Sequence, residues 1–101
     1  MIRHSVTFQL KPSINAEGVK DFFRAAKRLS TIRGVQDFES LRQTSKKHMY
    51  EFGLTMKFEN EAIYQQYIDH PLHSAFIKQH WLPSVETFTE IDFELLNDYE
   101  M

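Results

Sequence analysis

The sequence contains no cysteine. That removes a disulfide framework, a thiol nucleophile and a thiolate metal site, and it fits a reducing compartment, so a cytoplasmic protein is expected. Basic residues do not dominate. Twelve Lys and Arg against 14 Asp and Glu give a formal net charge of −2, without the basic stripe a nucleic-acid surface needs, so no nucleic-acid partner is expected. No long apolar run follows Met1 to His4, so neither a signal peptide nor a membrane span is predicted. Proline is scarce, and Pro12, Pro71 and Pro83 each fall where a periodic pattern stops or starts.

The chain has 101 residues, a length that predicts one domain over 1–101. A core of that size is small, and such chains often gain burial by associating. Nine phenylalanines suit a cavity or an interface as well as a core.

The order of elements follows from periodicity. Ile2, His4, Val6, Phe8 and Leu10 alternate with Arg3, Ser5, Thr7 and Gln9, the period of a half-buried strand. Val19, Phe22, Phe23, Ala26, Leu29 and Ile32 recur at helical spacing, with Asn15 as N-cap and Gly34 as the stop. Val35 to Thr44 reads as a second strand and residues 45–48 as an exposed turn. Tyr50, Phe52, Leu54, Met56 and Phe58 then alternate cleanly as a third strand. Asn60 caps a second helix that places Ile63, Tyr64 and Tyr67 on one face. His70, preceding proline, breaks that helix, and Pro71 suits the first turn of another, which Pro83 stops. Thr87 to Leu95 reads as a fourth strand, and Asn97 to Met101 as a short acidic tail. The α+β ferredoxin-like fold, βαββαβ with a four-stranded antiparallel sheet and helices on one face, accounts for this order. The opposite sheet face is expected to carry Arg3, Ser5, Thr7, Gln9, Glu51, Thr55, Lys57, Glu90, Asp92 and Glu94.

The stretch Tyr67-Ile68-Asp69-His70-Pro71-Leu72-His73 concentrates the chemistry, with one phenol and two imidazoles in seven residues. A break between two helices lets Tyr67 and His73 converge. An imidazole that titrates near neutrality could remove a proton beside a carbonyl, and a phenol could polarise the carbonyl oxygen. The plainer reading has His73 bonded to backbone and Tyr67 packed with its hydroxyl satisfied. His70 and Pro71 form a structural corner, with the His70 ring tying it by a hydrogen bond. His4, on an apolar strand face, is either a paired core histidine or a pocket wall. His70, His73, His80 and Asp69 lack the tight two-histidine helical spacing of a metal site, so none is expected.

Several pieces together are recognisable: Ile2-Arg3-His4, Phe22-Phe23, Ile32-Arg33-Gly34-Val35, Tyr50 to Phe58, Tyr67 to His73, and Asp92-Phe93. With these the chain resembles the stress-responsive A/B barrel, or Dabb, family over essentially its whole length. The resemblance implies a homodimer in which two ferredoxin-like sheets face each other as an α/β barrel. The polar sheet face would then line the barrel, where Arg3 or Lys57 could pair with Glu51, Glu90 or Asp92. Some plant members are polyketide cyclases that need no cofactor. The residues matching their catalytic pair are Tyr67 and His73, and the matching pocket positions are His4, Val6, Phe8, Phe22, Phe23, Leu54 and Phe76. The chain departs from the cyclases at Ala26 and Ile77, where they carry tyrosine and glycine. Some relatives hold a cation on backbone carbonyls in the segment that here spans Ser30 to Gln36.

The resulting expectation is a stress-response-type homodimer with a small apolar pocket per subunit that takes a hydrophobic carbonyl compound, without a cofactor. Aldol-type cyclase or isomerase chemistry, with His73 as base and Tyr67 as carbonyl polariser, is the enzymatic alternative. A cofactor-independent monooxygenase is a further one, and a role as a purely structural or assembly protein another.

Overall fold

The computed structural model describes residues 1–97. The acidic tail expected at Asn97 to Met101 therefore lies, beyond Asn97, outside the described residues. Strands β1 (Ile2–Leu10), β2 (Gln36–Arg42), β3 (Phe52–Phe58) and β4 (Val85–Glu94) form one antiparallel sheet in the order β2-β3-β1-β4. Helices α1 (Ala16–Lys27), α2 (Glu61–Asp69) and α3 (Pro71–Phe76) cover the face of β1 and β3 that carries the apolar alternation. This is the ferredoxin-like architecture that the order of elements predicts. Among the described residues no helix is long and apolar enough to cross a membrane.

Local chemistry sets most of the boundaries. Asn15 Oδ1 accepts a hydrogen bond from the Gly18 N–H at 2.8 Å, and Asn60 Oδ1 accepts one from the Ile63 N–H at 2.9 Å; each satisfies a donor that a helix start leaves free. Helix α1 ends at Lys27 and passes into a 3-10 turn, Arg28–Thr31, so Gly34 is not its stop. Gly34 instead has φ 95°, and a Cβ there would collide with Ile63 Cγ2. It serves the close approach of the β2 entry to α2. Strand β2 is bulged between Gln36 and Glu39, where Asp37 takes φ 49°, which accounts for its weak alternation. After α3 the chain widens into a π-helical turn, Ile77–Trp81, before a last short turn, Leu82–Ser84. That turn delivers Trp81 to the core, while Leu72 and Leu82 stay exposed.

The core joins the inner side of β1 and β3 to α1. Phe8, Phe22, Met56 and Phe58 are its largest fully buried side chains. Phe8 packs against Phe22, Phe52 and Trp81 with ring centroids 5.1–5.9 Å apart, a separation at which aromatic pairs attract.

Strand β4 faces opposite to the sequence expectation. His4 pairs across the sheet with Asp92, Val6 with Glu90 and Ile2 with Glu94, so these three acids share the helix side with His4. Thr89, Ile91 and Phe93 oppose Thr7, Ser5 and Arg3 and lie on the open face. Period-two alternation leaves the facing to be decided by which set is more apolar. Here the apolar set lies on the open side, where Ile91 and Phe93 are about half exposed. The charge pairs expected on that face therefore do not form with Glu90 or Asp92. Lys57 lies 3.3 Å from Asp37 and Arg42 lies 3.7 Å from Glu51 instead.

Candidate ligand pocket and polar cluster

The corner between α2 and α3 is built by His70. Its backbone is extended, with φ −68° and ψ 138°, as the following proline requires. Its ring Nδ1 accepts a hydrogen bond from the Leu72 N–H at 3.0 Å, which caps α3, while its own N–H donates to the Tyr67 carbonyl at 3.1 Å, which closes α2. Pro71 occupies the first turn of α3, where its missing N–H costs nothing. The bend brings Tyr67 and His73 together, with ring centroids 4.7 Å apart at an interplanar angle of 59°.

Both rings stand in the wall of a cavity of about 420 Å³ between the sheet and the helices. Its lining is mainly apolar, including Val6, Leu54, Met56, Phe76 and Trp81. Of the sequence-predicted pocket residues, His4, Val6, Leu54, Phe76, Tyr67 and His73 line it. Phe8, Phe22 and Phe23 do not. Phe8 and Phe22 are sealed in the core between β1 and α1, and Phe23 packs on Phe52 with centroids 5.0 Å apart beside a different hollow, next to β2. Two further rings that the sequence did not place there also reach the cavity: Trp81, turned inward by the π-helical turn, and Phe88, which meets Trp81 edge-on at 5.5 Å. Ile77 is in the wall as well, whereas Ala26 is buried away from it.

Electrostatics divide the roles of the corner pair. Burial is the main cause that raises the Tyr67 phenol above its ordinary pKa, and the Glu90 charge adds to it; the group is therefore a firmly protonated donor. Tyr67 is 3% exposed, and its hydroxyl has no hydrogen-bond partner among the described residues. Burial likewise pushes the His73 imidazole below its ordinary value, opposed by a hydrogen bond with the Ile68 backbone. His73 is therefore neutral at pH 7. A neutral base beside a protonated phenol is the constellation that proton abstraction next to a carbonyl calls for.

A second cluster adjoins the first. His4 Nδ1 lies 2.6 Å from Asp92 Oδ1. The Tyr64 hydroxyl stands 2.9 Å from Asp92 Oδ2, 2.9 Å from His4 Nδ1 and 3.3 Å from Glu90 Oε1. Burial foremost, and then its bond to Asp92, raises the Tyr64 phenol. His4 is thus both of its expected alternatives, a paired core histidine and a pocket wall. Tyr64, Glu90 and Asp92 were not expected at the pocket; the sequence reading had Tyr64 on a helix face and the two acids on the opposite sheet face. The signal that could have found them is the need of a buried histidine for a partner, which only an acid at matching register on a neighbouring strand supplies. Among the described residues, His4, Glu90 and Asp92 form a candidate metal-ligating set, with donor atoms within 4.8 Å of one another. At 2.6 Å the His4–Asp92 contact is a charge-assisted hydrogen bond, so Nδ1 carries a proton where a metal needs its lone pair.

Comparison with known proteins places this architecture. A Dabb-family protein with a ferredoxin-like fold from Mesorhizobium loti superposes with a TM-score of 0.91 at 48% identity, over 95% of this chain and 97% of that one. A protein from Arabidopsis thaliana gives 0.86 at 20% identity over 96% and 97%. A dimeric ferredoxin-like protein of unknown function from Thermobifida fusca gives 0.80 at 21% over 93% and 90%. No curated protein matches the chain. The model of the stress responsive A/B barrel domain, Dabb, matches residues 2–95, and the chain belongs to that family.

Proposed function

We propose that the protein binds a small hydrophobic carbonyl compound in the cavity between sheet and helices. The observation that carries this reading is the Tyr67 hydroxyl, a protonated donor that has no hydrogen-bond partner among the described residues and stands in a mainly apolar wall. A carbonyl oxygen is the acceptor that matches it while the body of the ligand meets Leu54, Met56 and Phe76. Titration with acetophenone, followed by amide shifts, tests this. Shifts centred on residues 67–77 and on β1 are expected, together with a weakening of roughly 3- to 10-fold in Tyr67→Phe, the loss of one hydrogen bond. Shifts scattered over the surface, or equal affinity in the variant, reject it.

A catalytic reading has support of its own in the neutral His73 beside Tyr67. His73 would take the proton from carbon next to the ligand carbonyl, and Tyr67 would donate to the enolate oxygen that forms, which is the first step of an aldol-type cyclisation or an isomerisation. Hydrogen–deuterium exchange at the α-carbon of a bound ketone tests this step alone. Loss of catalysed exchange in His73→Ala with binding retained is expected, and exchange at the same rate in that variant removes His73 from the chemistry.

We further propose that two copies pair through the open sheet faces. Leu41, Ile91 and Phe93 leave about half their surface exposed there, and the Thermobifida fusca relative is dimeric. Sedimentation at low micromolar concentration tests the pairing, and a monomer there refutes it.

A further inference from the structure

The polar end of the cavity has a sign. Counting protons shows it. The His4 Nδ1–H goes to Asp92 Oδ1 at 2.6 Å, and the Tyr64 O–H goes to Asp92 Oδ2 at 2.9 Å. The ring Nδ1 and the phenol oxygen have one proton each and no other to offer. Asp92 therefore takes both, one on each oxygen. Glu90 is left with the longer contacts, a 3.3 Å hydrogen bond from the Tyr64 hydroxyl and 3.7 Å to His4 Nδ1. Among the described residues it has no lysine or arginine partner, and no lysine or arginine lines the cavity. Glu90 does line it. Two carboxylates meet one histidine in this cluster, so its charge is negative in either state of the ring. The cavity thus offers one charged acceptor, Glu90, beside His4, and one unpaired donor, Tyr67.

From this we infer that the pocket selects ligands that carry both an ammonium group and a carbonyl, and that Glu90 discriminates against carboxylates. The inference rests on the ligand-binding reading above and deepens it by naming the charge of the ligand. The ammonium pairs with the Glu90 carboxylate, the carbonyl oxygen accepts from Tyr67, and the apolar body fills the space beside Met56, Phe76 and Trp81. A carboxylate there meets the Glu90 charge with no lysine or arginine in the wall to offset it. Glu90 is 49% exposed at its side chain, so solvent screens the effect, and the discrimination expected is moderate.

Three matched acetophenones test this at pH 7.5, bearing an aminomethyl, a hydroxymethyl or a carboxylate group on the ring. Dissociation constants are measured by amide shifts on the full chain. The aminomethyl compound is expected to bind at least about tenfold more tightly than the carboxylate, equivalent to about 1.4 kcal/mol, with the hydroxymethyl compound between them. In Glu90→Gln, which keeps the shape and removes the charge, the spread is expected to fall below about threefold. Equal binding of all three compounds by the wild type, or a preference for the carboxylate, overturns the inference and leaves the pocket reading intact. The same holds if the order is undiminished in Glu90→Gln. If none of the three binds at millimolar concentration, the pocket reading fails and the inference with it. The wild-type order is decisive by itself should the variant fold poorly.

Discussion

His4 Nδ1 and Asp92 Oδ1 lie 2.6 Å apart, directly across the β1–β4 pair, and the Tyr64 hydroxyl from α2 donates to Asp92 Oδ2 at 2.9 Å and touches His4 Nδ1 at the same distance. One histidine thereby ties the first strand, the last strand and a helix. Each of these bonds stands beside the cavity, so the network supports the wall that a ligand would meet.

Removing one partner from that network should cost more than an ordinary surface hydrogen bond. Tyr64→Phe and Asp92→Asn are each expected to lower unfolding free energy by about 1–3 kcal/mol, the range for hydrogen bonds to charged groups. Because both act through one network, the double variant should be less destabilised than the sum of the two by at least about 0.5 kcal/mol. Urea unfolding of the four proteins checks this. Additive losses below about 0.5 kcal/mol each would show that solvent replaces the network at no cost.

Gly34 offers a sharper test of the packing between the β2 entry and α2. Its φ of 95° disfavours any side chain, and a Cβ would strike Ile63. Gly34→Ala is expected to destabilise by about 2–4 kcal/mol, combining left-handed strain with overpacking. Ile63→Ala in the same chain should recover the overpacking part but not the strain. A calorimetric scan of the single and double variants separates the two, and a neutral Gly34→Ala would mean that the turn relaxes.

What was legible in the sequence was local. The caps at Asn15 and Asn60 and the break at His70-Pro71 each depend on bonds spanning two or three residues, and the structure has them as read. The facing of β4 depends on β1, more than 80 residues away, and on a bulge that shifts register between Gln9 and Leu10. Alternation alone put Glu90 and Asp92 on the wrong side because it treated the helix-covered face as apolar throughout. His4 and Tyr64 make that face polar at one point. Phe8, Phe22 and Phe23 were expected in the pocket by resemblance, but the core took Phe8 and Phe22, and Phe23 turned to a hollow beside β2. The π-helical turn that aims Trp81 inward leaves no periodic signal of its own. Tyr67 and His73 were legible as a pair because one proline decides the bend between them.

The open sheet face yields a prediction about assembly. Phe93→Lys, placed opposite Arg3 on the neighbouring strand and so not offset by it, adds a charge to the surface where the second copy is proposed to sit. Burying it unpaired would cost several kcal/mol, enough to move a micromolar dimer to monomer. Sedimentation velocity at about 10 µM should show a loss of dimer, with unchanged far-UV circular dichroism. A variant that remains dimeric places the contact elsewhere.

The lowered His73 pKa predicts how stability depends on pH. An unfolded chain binds a proton on histidine near its ordinary value of about 6.5, whereas in the fold burial disfavours the charged ring. Below about pH 6.5 the unfolded state therefore holds more proton at this site than the native state, and stability falls as pH falls. The contribution is complete above that value, is lost progressively beneath it, and levels off only below the native pKa. The chain has four other histidines, so the comparison must isolate this one. Guanidinium unfolding at pH 7.5 and 5.5 is expected to show a smaller stability difference between the two pH values in His73→Gln than in the wild type. An equal difference would mean that His73 is solvated in the native state. A larger one would mean that its pKa is raised, and that it stands charged, not neutral, beside Tyr67.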